Sequence, residues 1–204
     1  MLFPPIREHL ISTGAAVCSF DKRGVGRSTG RWQDAAIVEQ ADDVFAAVTA
    51  LISDEELDAP VGLFGHSQGG WVVVEAAGGR RAPVAFVVAS SGPAVTPAAQ
   101  ERYSALTYLR GAGVASLKID EAMRDFETVV AMMRARVPFE DARRSIGEDG
   151  LGAAYDELDL PFVPEDAAVW DLACALIDYD PRPSLERIDV PVLALFGEED
   201  TSSP

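Results

Sequence analysis

The chain has 204 residues, a formal net charge of −16 at pH 7 and a hydrophobic content of 48%. That hydrophobic content can bury a substantial core, so one globular domain with room for an inserted subdomain is expected. The negative charge argues against a nucleic acid or an anionic membrane as partner, because phosphate groups would repel such a surface.

The cysteines and the N-terminus indicate the compartment. Cys18 lies in an apolar strand pattern and Cys174 in an apolar helix pattern, and two such residues cannot build a disulfide framework. Residues 1–6 lack a basic region and a continuous apolar stretch, and no run elsewhere is long enough to span a bilayer. We therefore expect a cytoplasmic protein without membrane association.

Helix and strand patterns alternate along the first 90 residues. Helices are predicted at 6–13, 33–53 and 70–77, and strands at 15–20, 61–64 and 84–89. The strand patterns are continuously apolar, which is typical of strands covered on both faces of a mostly parallel sheet. Ligands of such sheets gather at the carboxyl ends of the strands.

Between residues 90 and 183 the strand pattern disappears. Helices are predicted at 98–109, 120–136, 139–146 and 165–177, and a strand pattern returns at 188–197. We therefore predict a partial α/β core at 1–95 and 184–204 and a helical insertion at 96–183. The insertion is either a lid over the active face or a packing helix bundle without a gating role.

Residues 61–70 combine an apolar strand, a tight Gly-His-Ser-Gln-Gly turn and the start of a helix. A strand-to-helix reversal this sharp predicts that Gly65 and Gly69 are needed for space and that the backbone of Ser67 is strained. Ser67 is thereby a candidate nucleophile, and the N–H of Gln68 a candidate oxyanion donor. The alternative is an ordinary Gly/Ser turn that ends a strand.

Several motifs together resemble the α/β-hydrolase superfamily: Asp-Lys-Arg-Gly-Val-Gly-Arg-Ser at 21–28, the turn at 65–69 and the strand with its acidic end at 190–200. With Ser-Gly-Pro-Ala at 91–94, the chain most resembles the esterase, thioesterase and serine-aminopeptidase-like branch. The resemblance implies an incomplete α/β-hydrolase fold, a mostly parallel sheet flanked by helices with an inserted helical lid.

The resemblance also implies roles for single residues. Asp200 is the triad acid, whereas its neighbours Glu198 and Glu199 fit the spacing less well; the alternative for Asp200 is a solvated carboxylate in an acidic run. Asp21 has a structural role, in which its carboxylate accepts backbone N–H groups of its loop or pairs with Arg23 or Arg27.

The general base is missing from this pattern. His9 and His66 are the only histidines, and neither suits the role, since His66 adjoins Ser67 and His9 precedes the first strand. In the family the histidine follows the acid, so we expect a fragment cut at both ends and inactive alone. The loop with the second oxyanion donor is also missing. In the family a further strand lies between the strands that correspond to 15–20 and 61–64. Without it, these two strands either flank a gap in the sheet or pair directly.

The leading hypothesis is a serine hydrolase that cleaves an ester, thioester or amide bond of a small-molecule acyl substrate through an acyl-enzyme on Ser67. The alternatives are a non-catalytic α/β-hydrolase-like binding module and a haloperoxidase-like or other non-hydrolytic activity. No cofactor or metal is expected, and the oligomeric state stays open. Seven aromatic residues either line an acyl pocket or belong to the core. They are Trp71, Tyr103, Tyr108, Phe126, Phe162, Trp170 and Tyr179.

Overall fold

The computed structural model describes residues 3–53, 58–149, 152 and 166–204. The chain forms two compact units, residues 1–32 and 33–204. The first begins with helix α1 (Phe3–Ser12) and continues as loop and turns. The strand predicted at 15–20 is therefore wrong. The described part of this unit, residues 3–32, contains no second strand with which an extended segment could exchange backbone hydrogen bonds.

The second unit carries the remaining elements in the order that the sequence predicts, after a short 3₁₀ turn at Trp32–Asp34. They are α2 (Ile37–Ile52), β1 (Gly62–His66), α3 (Gln68–Val74), a π-helical turn (Glu75–Gly79), β2 (Phe86–Ser90), α4 (Pro97–Gly111), α5 (Ser116–Arg134), α6 (Phe139–Asp149), α7 (Ala167–Leu176), α8 (Arg182–Leu185) and β3 (Val192–Leu195).

The three strands form one parallel sheet in the order β1-β2-β3. His66 lies opposite Ser90, and Ser90 lies opposite Leu195, so the carboxyl ends of all three strands meet at one edge. The α/β class and the parallel sheet flanked by helices are thus confirmed. All four residues of β3 are exposed, however, so the apolar run at 188–197 does not indicate a strand covered on both faces.

Helices α2 and α3 cover β1 and β2. Ala41 and Val48 of α2 pack with Val73 of α3 against Leu63 and Val87 of the strands. Each of these five side chains is at least nine-tenths buried, and burial of a Val or Leu side chain contributes roughly 1.5–3 kcal/mol. This packing fixes the start of α3 relative to the end of β1.

The helices predicted between residues 96 and 183 are confirmed within the described residues, with shifts of a few residues at their ends. Thr96 caps α4 by accepting the N–H of Ala99, and Asp166 caps α7 by accepting the N–H of Ala168. Trp170 of α7 is 1% exposed. Over the described ranges, no helix is long and apolar enough to cross a membrane.

Candidate functional site

The turn between β1 and α3 presents Ser67 at its tip. Ser67 is exposed and has φ 53° and ψ −122°, a conformation that L-residues rarely adopt. Its N–H donates to the carbonyl of Ser90 at 2.9 Å, and its carbonyl accepts the N–H of Gly70 at 2.8 Å. These two bonds hold a backbone conformation that costs of order 1–3 kcal/mol. Strain of this kind clusters at active sites.

The hydroxyl of Ser67 is not used to cap α3. A serine at a helix N-cap usually accepts an N–H from the first turn with its side chain, and that bond does not form here. Gln68 is the first residue of α3, so its N–H belongs to the helix start next to the hydroxyl. The structure therefore brings the two residues together at the same turn.

The two glycines of the turn differ. A Cβ on Gly65 would lie 2.1 Å from the carbonyl oxygen of Gly69 and 2.9 Å from Cγ2 of Val73, so no side chain fits there. A Cβ on Gly69 would meet nothing within 4 Å. The prediction that space requires both glycines is thus right for Gly65 and wrong for Gly69, because a Cβ on Gly69 would lie in open space.

Asp200 follows β3 in a tight turn. Its Oδ1 accepts the hydroxyl of Ser202 at 2.7 Å and the N–H groups of Ser202 and Ser203 at 2.9 and 3.0 Å. The Ser202 hydroxyl and these N–H groups lower the pKa of Asp200 to about 2. Its carboxyl group is therefore an anion at neutral pH. Its neighbours Glu198 and Glu199 are exposed.

The end of β2 connects the turn at Ser67 with the turn at Asp200. Ser90 accepts the N–H of Ser67, and the next residue, Ser91, contacts the turn that carries Asp200. The carbonyl of Ser91 accepts the hydroxyl of Ser203 at 3.1 Å. The candidate nucleophile and the candidate acid thus follow β1 and β3 at the same edge of the sheet, one on each side of β2.

The two histidines of the chain lie on different elements. Nδ1 of His66 lies 3.3 Å from the hydroxyl of Ser90, its partner across the β1–β2 ladder. His9 lies in α1 of the other unit and is exposed.

Asp21 shapes the loop at 21–30 in the first unit. Its Oδ2 accepts the N–H of Arg27 at 3.3 Å, and its carbonyl accepts the hydroxyl of Ser28 at 2.8 Å. Gly26 has φ 55°, and a Cβ there would lie 2.1 Å from Oδ2 of Asp21. These contacts agree with the structural role predicted for Asp21.

The aromatic residues divide between core and surface. Trp71 and Trp170 are 5% and 1% exposed, and each indole N–H donates to a backbone carbonyl, Trp71 to Val95 and Trp170 to Val137. Tyr108 is 50% exposed, and Phe162 lies outside the described residues. Within the described part of the chain, no three His, Cys, Asp or Glu side chains cluster as a metal site requires.

Three features of the site were not anticipated from the sequence. Ser91 has φ 46° and its carbonyl accepts the hydroxyl of Ser203, and the Ser202–Ser203 pair occupies Oδ1 of Asp200. Glu75 is only 7% exposed although it is charged. The Asp-x-Ser-Ser spacing at 200–203 is a sequence signal for the turn, since a carboxylate readily accepts N–H groups two and three residues ahead. A glutamate in an apolar helix gives a weaker signal.

Comparison with known proteins gives the family. The family model described as serine aminopeptidase, S33, matches residues 2–135, more than half of the chain. The chain belongs to this family, so the resemblance to the α/β-hydrolase superfamily predicted from its motifs is confirmed. The match includes Ser67 and Gln68 and ends before Asp200.

Two solved structures are similar to the chain. The α/β hydrolase domain-containing protein 10 from mouse is 18% identical with a TM-score of 0.44, over 96% of this chain and 73% of that one. A thermophilic esterase from Thermogutta terrifontis, in a malate-bound structure, is 22% identical with a TM-score of 0.42, over 97% of this chain and 66% of that one. No curated protein matches the chain significantly.

Proposed function

We propose that the protein is a serine hydrolase in which Ser67 attacks the acyl carbon of an ester, thioester or amide. The observation that carries the proposal is the strained, exposed backbone of Ser67 between a buried strand and a helix, with a hydroxyl that does not cap the helix. A strained strand-to-helix turn that exposes a serine is the arrangement by which hydrolases of this superfamily present their nucleophile.

In the proposed reaction, Oγ of Ser67 forms a bond to the acyl carbon while its proton passes to a general base. The N–H of Gln68 donates to the oxyanion of the tetrahedral intermediate. The intermediate collapses to an acyl-enzyme, and the alcohol, thiol or amine leaves with the proton from the base. Water then attacks the acyl-enzyme in the reverse sequence of proton transfers and releases a carboxylic acid.

Asp200 is proposed as the acid that orients the base. Its pKa of about 2 supports this role, because a carboxylate that stays ionised can hold an imidazole in one tautomer and stabilise its charged form. Oδ1 is already occupied by Ser202 and Ser203. We therefore assign the contact with the base to Oδ2.

The base itself is proposed to be a histidine outside residues 1–204. His66 is engaged with Ser90, and His9 is the other histidine of the chain. On this proposal the 204 residues alone have little or no activity. The helical region at 96–183 is proposed as the lid that contacts the acyl group, and the two free cysteines support a reducing, cytoplasmic compartment.

A fluorophosphonate probe tests the proposal on the protein expressed from its complete natural gene. Labelling is expected in the wild type, is lost in Ser67→Ala and persists in Ser53→Ala, the matched control for an exposed serine at a helix end. His66→Gln keeps a polar group beside Ser90 and is expected to retain labelling. The proposal is wrong if the folded wild type does not label, or if Ser67→Ala still does.

A second candidate is a non-catalytic binding module of the same fold. The observation that favours it is the engagement of His66 with Ser90, since a histidine held by another partner is a poor base for the neighbouring Ser67. A module would bind acyl compounds without turnover. Isothermal titration with a carboxylic acid product then gives binding in both wild type and Ser67→Ala, and neither protein reacts with the probe.

A further inference from the structure

Glu75 is a buried carboxylate outside the residues assigned to the reaction. It opens the π-helical turn that continues α3, and it is 7% exposed. A buried charge is costly unless hydrogen bonds compensate it, and π-helical turns are frequent at functional sites. The hydrogen-bond partners of the Glu75 carboxylate therefore indicate which parts of the structure it connects.

Two hydroxyl groups converge on one oxygen of Glu75. Tyr179 donates to Oε2 at 3.0 Å, and Ser184, which is 2% exposed, donates to the same oxygen. The other oxygen lies 3.9 Å from Nη1 of Arg80. Burial, followed by the charge of Glu75 and the hydrogen bond to it, raises the pKa of Tyr179, so its hydroxyl stays protonated and keeps donating.

The glycines of the π-helical turn make room for this arrangement. A Cβ on Gly79 would lie 2.1 Å from Oε1 of Glu75, and a Cβ on Gly78 would lie 1.9 Å from the carbonyl oxygen of Ser184. The turn therefore packs backbone against backbone with α8. Glu75 thus joins the helix that carries the candidate nucleophile to the segment 179–184, which follows α7.

Tyr179 extends the contact back toward Ser67. Its ring packs edge-to-face on Trp71, with 6.5 Å between the ring centroids, and Trp71 lies four residues after Ser67 on α3. Trp71 lies in the first turn of α3, which begins directly after Ser67. Displacement of Tyr179 would therefore reach the turn of helix that follows the candidate nucleophile.

We propose that Glu75 is a positioning residue, which clamps Tyr179 and Ser184 and thereby fixes the exit of the helical region against the helix that carries Ser67. The expected effect on catalysis rests on the proposed function. The structural clamp by Glu75 does not. On the proposed function the helical region contacts the acyl group, so loss of the clamp at its exit raises KM for an ester substrate more than it lowers kcat.

The variants Glu75→Gln and Tyr179→Phe test the clamp with little change of volume, and Tyr108→Phe is the control, since it removes the hydroxyl of an exposed tyrosine. Hydrogen exchange of the amides at 177–187 is expected to accelerate about tenfold in each of the first two variants, the loss expected for one hydroxyl–carboxylate bond. In the double variant these amides are expected to exchange at most about twofold faster than in either single variant, because the two single variants act on the same hydrogen bond. Tyr108→Phe leaves exchange unchanged.

In the protein from the complete gene, KM for a p-nitrophenyl ester is expected to rise about fivefold in both variants, while kcat stays within about twofold of the wild-type value. This pattern is expected when the lost interaction stabilised the bound substrate and the transition state equally. Unchanged exchange at 177–187 overturns the clamp whatever the activity. Faster exchange with unchanged KM and kcat overturns the positioning role. A wild type without turnover contradicts the proposed hydrolase, and the exchange data then still decide the clamp.

Discussion

The pair Gly65→Ala and Gly69→Ala separates the two glycines that flank the candidate nucleophile. A carbon in contact with a carbonyl oxygen sits about 3.3 Å away or farther, so a Cβ at 2.1 Å from the oxygen of Gly69 requires a backbone shift of more than about 1 Å. Val73 closes the other side at 2.9 Å. Because neither neighbour is the end of a flexible side chain, Gly65→Ala is expected to lower the free energy of unfolding by at least about 2 kcal/mol. This value is in the upper range for overpacking.

Gly69→Ala has open space around its Cβ and lies in the first turn of α3. Replacement of a helical glycine by alanine gains up to about 1 kcal/mol, so the variant is expected to be as stable as the wild type or slightly more stable. Urea unfolding followed by far-ultraviolet circular dichroism measures the free energy of unfolding of both variants. In thermal unfolding, each kcal/mol of difference should shift the midpoint by roughly 2–4 °C. Equal losses within about 0.5 kcal/mol would refute this geometry of the turn.

Three further predictions concern residues of the site and of the helical region. Ser67→Gly is expected to be about 1 kcal/mol more stable than Ser67→Ala, because glycine adopts a positive φ without strain; equal urea midpoints would contradict the strain. The pKa of Asp200 is lowered to about 2 from 3.8, so its stabilisation is present above about pH 4 and is lost toward pH 2; Asp200→Asn should flatten the pH dependence of the urea midpoint in that window, and parallel curves would count against it. Trp170→Phe removes the donor to the Val137 carbonyl and leaves a void, at a cost of about 2 kcal/mol in urea unfolding, whereas a change below about 0.5 kcal/mol would show that the indole bond is not formed.

The sequence was most informative where one short pattern determines the local backbone. The apolar run before Gly65 and the tight turn after it predicted β1, the exposed Ser67 and the start of α3, because few backbone conformations join a buried strand directly to a helix. The need for glycine at 69 could not be predicted in the same way. It depends on the direction of one Cα–Cβ bond relative to the strand, which only the packing of α3 decides.

Elements that depend on distant partners were harder to predict. Residues 15–20 have the composition of a strand, but a strand exists only where another strand accepts its hydrogen bonds. The contact between the Ser91 carbonyl and the Ser203 hydroxyl depends on the register of β2 with β3. The burial of Glu75 depends on Tyr179, which is 104 residues away in the chain. Sequence patterns of neighbouring residues contain no information about such pairs.

The end of β2 determines the relative position of the two candidate residues, Ser67 and Asp200. The carbonyl of Ser90 accepts the N–H of Ser67 on one side, and the carbonyl of the next residue, Ser91, accepts the hydroxyl of Ser203 in the Asp200 turn on the other. Gly92 follows Ser91, and a Cβ on Gly70 would lie 2.5 Å from the Cα of Gly92, so the start of α3 rests directly on this segment. Because β2 is hydrogen-bonded to both neighbouring strands, a shift of its end would move the candidate nucleophile and the candidate acid together. The relative position of the two therefore depends on the sheet and not on the turns that carry them.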